Sequence, residues 1–318
     1  MDRKLSLFDY FHIVAFIMFT TFTTIFLSLS YNNATAKFER DAAILNEKYL
    51  DDKKKMLRNE VEEFIDFIDS KRKNVYAQTQ ATVKNRVYEA HEIVTALYER
   101  YHKTHSQSQI QEMIVETLRH LRFENGQGYY FITRLDGVEI LFADKPEMEG
   151  KNMLGLQNSE GRYVVKNMID IALSSNKEGF YEYTWSKPKI QTENHKKISF
   201  IKLFEPYGWI IGTGLYLEDM EVKIKEEIVN DKERLLFDKE KNNYLFAGTW
   251  DGFSLTYPAQ NKNMYNVQDK NGKFVVQALI EKAQHGGGYV EYVMPPLKGE
   301  RNLTKLSYVT GIEEWKWY

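Results

Sequence analysis

Between Asn33 and Asn125 the chain contains neither glycine nor proline. That absence limits the fold more than any other feature, because Gly and Pro are the residues that most readily interrupt a helix. The stretch therefore predicts helix. Leu57, Val61, Phe64, Ile65 and Ile68 form one apolar stripe. Val83, Val87, Ala90, Val94, Leu97 and Tyr101 form a second, at the alternating four-and-three spacing of a heptad-like seam. A break is expected near "KTHSQSQ" (103–109), followed by a shorter helix carrying Ile110, Ile114, Leu118 and Leu121. A bare helix of this length is not stable in water and must pack on something. The candidates are a second copy of the chain or the domain that follows, and the heptad-like seam favours a homodimer through the long helix.

The N-terminus adds a second constraint. From Leu7 to Leu29 the residues are apolar or hydroxylated apart from Asp9 and His12, long enough to span a bilayer as a helix. Thr hydroxyls are tolerated there because they bond back to helix carbonyls. The rival reading is a cleaved leader ending at Ala34-Thr35-Ala36, although the apolar run is long for one. The expected organisation is a cytoplasmic tail (1–6), a transmembrane helix (7–30), and a stalk helix with a second helix (31–120). The bulk of the chain would lie outside the cell membrane. Cysteine is absent, so disulfides, thiolate metal sites and cysteine nucleophiles are excluded. A net charge of -2 gives no electrostatic case for nucleic acid.

After residue 125 the texture changes to aromatic and β-branched runs split by glycine turns. "YYFITRLDGVEILF" reads as a hairpin turning at Leu135-Asp136-Gly137. "GRYVVKNMIDIALSS" reads as a helix burying Val164, Val165, Met168, Ile169 and Ala172. "GFYEYTWSKPK", "KKISFIKLFEP" and "GWIIGTGLYLEDM" read as three further strands. The pattern then repeats: "NYLFAGTWDGFSLTYP" matches the hairpin, "NGKFVVQALIEKAQ" the helix and "GYVEY" the strand "GFYEY", while Trp317 falls where Trp209 does. A repeat of about 110 residues means two copies of one domain. "EDMEVKIKEEIVNDKERLLF" reads as a connector between them. The expected fold class is α+β, with one module over 121–220 and another over 221–318 that stops before its last strand.

These motifs, in this order, resemble the extracellular Cache sensor domains in their tandem, PAS-like form. The residues carrying the resemblance are Gly128–Phe131 with Asp136-Gly137, Pro146–Asn152, Gly161–Val164, Gly179–Lys187 and Trp209–Tyr216. The family often has a His-Pro pair after the hairpin, where this chain has Phe142-Ala143 and Tyr257-Pro258. The resemblance implies the sensing region of a bacterial membrane receptor, of the kind that precedes chemoreceptor, histidine kinase or diguanylate cyclase outputs. It implies a small carboxylate, amino acid or amine ligand, a membrane-distal first module that binds it, no enzymatic activity in this region and no cofactor.

The candidate site follows from strand alternation. Tyr181, Tyr183, Trp185 and Lys187 share one face of a strand. An aromatic cup with a cation suits a small organic acid, because the rings supply apolar area and hydroxyl donors while lysine supplies charge. The candidate ligand residues are Tyr183, Trp185, Lys187, Tyr163, Lys202, Tyr181, Tyr130 and Phe142. The same rings would serve equally as ordinary sheet residues, and Lys187 as a solvated edge charge. In the second copy Tyr292 matches Tyr183, but Met294, Pro296 and Thr310 stand for Trp185, Lys187 and Lys202. The expectation is that copy one binds and copy two transmits. His102-x-x-His105 lacks a third ligand at helical spacing and reads as a helix end rather than a metal site. Gly286-Gly287-Gly288 follows a helix instead of opening one, which argues against a phosphate loop. A secreted binding protein or a structural extracellular domain is the alternative to a receptor.

Overall fold

The computed structural model describes residues 7–188, 195–236, 243–295 and 303–318. The expected tail 1–6, Lys189 and Pro296 lie outside them. Helix α1 runs unbroken over Leu7–Tyr101. Its first part is long and apolar enough to cross a membrane, by length and composition. There the Thr20, Thr21, Thr23 and Thr24 hydroxyls donate to carbonyls one turn back at 2.6 to 3.0 Å, which satisfies them without water. The expected break is a capping box. Ser106 accepts from the Gln109 backbone N–H, the Gln109 side chain accepts from the Ser106 N–H, and α2 follows over Gln107–Arg119.

Residues 65–237 form one compact unit, and residues 1–64 with 238–318 form another. The first unit contains β1 (Tyr130–Arg134), β2 (Glu139–Phe142), α3 (Val164–Ala172), β3 (Glu178–Trp185), β4 (His195–Phe204), β5 (Trp209–Tyr216), α4 (Leu217–Asn230) and α5 (Lys232–Leu235). The strands make one antiparallel sheet in the order β2-β1-β5-β4-β3. Gly137, at φ +88°, makes the hairpin turn as expected.

Period-two alternation gives the sheet two apolar faces. Tyr130, Ile132, Leu141, Trp209 and Ile211 pack against Ala90 and Val94 of α1 and Ile110, Ile114 and Leu118 of α2. Phe200 and Leu215 meet Val83 and Val87. The other face carries Tyr129, Phe131, Phe142, Tyr183, Ile201 and Ile210 under α3, which contributes Val164, Val165, Met168, Ile169 and Ala172. This corrects the reading of the second stripe as a dimer seam. Val83, Val87 and Val94 are 0% exposed because the chain's own sheet covers them. The expected connector, α4, instead buries Ile224 and Ile228 within the first unit and pairs Glu221 with Arg72 at 3.0 Å and Glu227 with Lys71.

In the second unit, α6 (Val275–Gln284) covers an antiparallel pair, β6 (Gly288–Met294) and β7 (Leu303–Val309). The expected hairpin is a turn at Gly252, φ +91°, closed by one bridge between Gly248 and Ser254. The repetition extends to individual hydrogen bonds. Asn152 Nδ2 donates to the Asp136 carbonyl and its Oδ1 accepts from Leu154, and Asn263 does the same with Asp251 and Tyr265. Asn158 accepts from the backbone of Glu160 and Arg162 as Asp269 does from Asn271 and Lys273.

If the α1 stripe is the seat of the sheet, Val87→Asp buries an unpaired charge and is expected to cost about 3 kcal/mol or more. Urea unfolding of the purified protein measures it, and a midpoint unchanged from wild type would show that this face carries no core.

Candidate functional site

The α3 side of the first unit holds a hollow of about 30 Å³ lined by Phe131, Thr133, Glu139, Phe142, Met148, Met153, Leu156, Val164, Val165, Met168, Tyr183 and Trp185. Its rings form a connected cup: Tyr181 stacks on Tyr183 at 5.0 Å, Tyr183 meets Trp185 at 5.8 Å, Trp185 meets Phe142 at 6.2 Å and Phe142 meets Tyr129 at 5.7 Å. The volume is room for one or two waters, so anything larger needs the cup to widen.

The cation beside this cup is Lys197 on β4, directly opposite Tyr183 of β3. It is 1% exposed. Its Nζ donates to the Tyr129 hydroxyl at 2.8 Å and lies 4.1, 5.3 and 5.9 Å from the Tyr129, Tyr216 and Phe131 rings. Burial lowers its pKa to about 7, against a smaller opposing pull from Asp144. Among the described residues no carboxylate makes an ion pair with it. Burial also pushes the Tyr129, Tyr183 and Tyr216 hydroxyls up, so all three remain protonated donors. Tyr183 shares a hydrogen bond with Ser199 at 3.1 Å, and Tyr216 donates to the Ser186 carbonyl at 2.5 Å. The expected strand "GWIIGTGLY" explains how a lysine fits here. A β-carbon on Gly214 would lie 2.2 Å from Ser199 Oγ and 2.7 Å from Lys197 Cε, and one on Gly212 would lie 2.3 Å from the Phe131 ring. The two glycines leave the lysine stem and the ring their space.

The polar side chains that line the hollow itself are Thr133 and Glu139. Glu139 on β2 is 6% exposed and accepts from Thr133 Oγ1 at 2.9 Å. Burial raises its pKa to about 8, so it is protonated at neutral pH. The rim beside it is tied to α2: Glu149 accepts from the Phe142 backbone N–H at 2.9 Å and takes both arms of Arg119 at 2.7 and 2.9 Å.

The structure gathers four of the eight expected residues, Tyr183, Trp185, Phe142 and Tyr181, in one cup. Tyr181 is its outer ring, held by Asn167 at 2.7 Å. The other four go elsewhere. Lys202 lies opposite Glu178, pairs with it, and sits 4.7 Å from the Tyr88 ring, on the α1 face. Tyr130 is on that face too and donates to the Arg86 carbonyl at 3.2 Å. Odd and even positions of a strand point apart, and these two have the wrong parity for the cup. Lys187, beyond the end of β3, pairs with Asp219 at 2.7 Å and Glu218 at 3.3 Å, so its charge is already balanced. Tyr163 precedes α3 and is 45% exposed. Lys197, Tyr129, Glu139, Ser199 and Tyr216 were not singled out from the sequence. A signal was present: Lys197-Ile198-Ser199 recurs as Lys305-Leu306-Ser307, each after a strand bearing Glu-Tyr.

An antiparallel sheet with helices on one face and a roofed, cation-flanked hollow on the other is the construction of a small-molecule sensor domain. The chain belongs to the Cache domain family, whose model matches residues 34–318, and it is a ligand-sensing receptor domain. It is similar to the methyl-accepting chemotaxis protein McpP of Pseudomonas putida, with 28% identity over 125 residues, 39% of this chain and 22% of that protein. It is also similar to the sensor histidine kinase MctS of Rhizobium johnstonii, with 31% identity over 93 residues, 29% of this chain and 20% of that one. The chain thus spans about a fifth of the length of these curated relatives. Among solved structures, a methyl-accepting chemotaxis protein from Vibrio parahaemolyticus is 25% identical with a TM-score of 0.43, covering 48% of this chain and 98% of that one. A Cache chemosensory domain described for carboxylic acid recognition is 26% identical with a TM-score of 0.42, covering 45% and 97%.

Glu139 predicts a pH signature. A carboxyl whose pKa is raised from 4.5 to about 8 on folding stabilises the fold fully below 4.5 and loses that contribution as pH rises through 8, by at most about 1.4 kcal/mol per unit. Lys197 acts with the opposite sign, adding stability as pH rises from about 7 towards 10.5. The Glu139→Gln variant is therefore expected to gain on wild type in thermal midpoint between pH 5 and 8. A constant difference across that range would show that Glu139 is ionised.

Proposed function

We propose that this chain is the extracytoplasmic sensing region of a bacterial transmembrane receptor, and that its first unit binds a small organic acid with the carboxylate on Lys197. The observation that supports this most is a buried lysine with hydroxyl and ring neighbours but no ion-pair partner among the described residues. Removing a lysine from water is costly unless an anion joins it. The carboxylate would take the Lys197 ammonium and the Tyr129 hydroxyl. The apolar part would enter the cup of Phe142, Tyr183 and Trp185, with Tyr181 at the rim and protonated Glu139 deeper in. The names of the two curated relatives, a chemotaxis protein and a sensor histidine kinase, support a signalling role.

The route outward runs through β3. Tyr181 and Tyr183 face the cup, while Glu178 and Glu182 face α1, where Glu178 accepts from Tyr88 at 2.5 Å and Glu182 from Tyr76. Widening the cup would move β3 against α1, and displacements of an ångström or two suffice for such switches. The Arg119–Glu149 clamp offers α2 a parallel link. The ligand shifts the equilibrium only by its difference in affinity for the two positions. In this reading residues 7–30 of α1 cross the inner membrane, residues after about 31 lie outside it, and the first unit is membrane-distal. A second copy would pair along the part of α1 that leaves Phe38, Ile44, Leu45 and Tyr49 exposed.

Titration calorimetry with a panel of short mono- and dicarboxylates tests the site. Lys197→Met is expected to weaken the best binder by about 100-fold, the scale of a lost buried charge-assisted pair. Wild-type affinity should fall by up to about tenfold per pH unit above 7, because binding then requires Lys197 to take up a proton. An affinity within threefold of wild type in Lys197→Met would remove Lys197 from the site.

A further inference from the structure

The second unit repeats the lysine of the first. Tyr292 of β6 stands directly opposite Lys305 of β7, as Tyr183 stands opposite Lys197. Tyr292 shares a hydrogen bond with Ser307 at 3.0 Å, as Tyr183 does with Ser199 at 3.1 Å. Counted back from the hairpin turns Asp136-Gly137 and Asp251-Gly252, Tyr244 matches Tyr129. The Lys305 Nζ lies 5.9 Å from the Tyr244 ring, as the Lys197 Nζ lies 4.1 Å from that of Tyr129. Two tyrosines, a lysine and a serine are thus kept in one register, the tyrosine–serine hydrogen bond recurring and the lysine–tyrosine approach looser. This corrects the expectation that the second copy has shed its charge: the groups it lacks, those matching Lys187 and Lys202, are not the ones that face the cup in the first.

A scaffold retained only for packing has no need of that lysine. Half-buried Lys305 is desolvated enough to lower its pKa, no neighbouring carboxylate restores it, and among the described residues none pairs with it. Tyr292 and Tyr318 are buried beside α6, with Phe246, Trp250, Met264 and Met294 around them. Tyr244 and, across the strand pair, Tyr292 stand beside Lys305, phenolic groups as Tyr129 and Tyr183 are beside Lys197. Two differences set the expected strength: Met294 replaces the indole of Trp185, and Lys305 is only partly removed from water. Both weaken binding relative to Lys197.

We propose that the second unit carries a second, weaker carboxylate site built on Lys305, Tyr244, Tyr292 and Ser307, so that the receptor reads the same class of anion over two concentration ranges. The proposal rests on Lys197 being the carboxylate anchor of the first unit, and the test separates the two claims. The intact protein is labelled with 13Cε-lysine, and sodium acetate is added at pH 6.5 with ionic strength held constant by sodium chloride. The Lys197 and Lys305 signals are assigned by their loss in Lys197→Met and Lys305→Met. Both wild-type signals are expected to shift and saturate, with the Lys305 midpoint at least tenfold higher. In Lys197→Met the Lys305 midpoint should stay within threefold of wild type. If Lys197 responds and Lys305 stays still or drifts without saturating, the second site is refuted while the first stands. If Lys305 alone saturates, the second site stands and the first reading fails. If neither responds, both fail. Because the readout is on the wild-type lysines, a variant that misfolds costs only its assignment, which Lys305→Gln or Lys197→Gln then supplies.

Discussion

The seating of the Val83–Val94 stripe on the sheet decides what the other side of the sheet is for. Once α1 and α2 cover Tyr130, Ile132, Trp209 and Ile211, the strands' other parity is left to a single short helix and a loop. A nine-residue α3 roofs that face with aliphatic side chains but leaves a hollow at the Phe142 end. The side backed by α1 and α2 and the side with the hollow are thus the two faces of one sheet. Period-two alternation keeps their side chains separate while the backbone joins them.

Lys197 is on the face with the hollow although a lysine is among the least suited residues for burial there. Tyr129, Tyr183, Tyr216 and Phe131 surround it, and their π faces and hydroxyls offset part of the lost hydration. What they do not supply is a counter-charge. Asp144 pulls in the right direction but is outweighed by burial. Protonated Glu139 lines the hollow and Lys197 lies beside it, so a neutral hydrogen-bond donor and a cation flank the same aromatic cup. In the proposed reading a carboxylate with a compact apolar body would meet both.

Much of the architecture was legible because its signals are local. The absence of Gly and Pro, the stripe spacing, the Asp-Gly turns and the inward face of α3 each depend on neighbours within one or two turns of chain. The site was legible only in part. Parity placed Tyr181, Tyr183 and Trp185 together, but parity within one strand does not say which face of the next strand joins it. That depends on register: Lys197, not Lys202, lies opposite Tyr183. Lys187 misled for a different reason, since its partners Asp219 and Glu218 sit 31 or more residues away on α4 and are brought close only by the fold. The dimer seam failed similarly, because a heptad-like stripe fits a flat sheet as well as a second helix.

β3 has one further consequence. Its odd positions, Tyr181 and Tyr183, face the aromatic cup; its even positions, Glu178 and Glu182, hold the long helix. Mutations on the two sets are chemically independent, since no side chain belongs to both. Under the proposed reading, substitutions at the odd residues would change what the cup admits while the even ones keep β3 on α1. New stimuli would then become attached to an old response without the response being rebuilt.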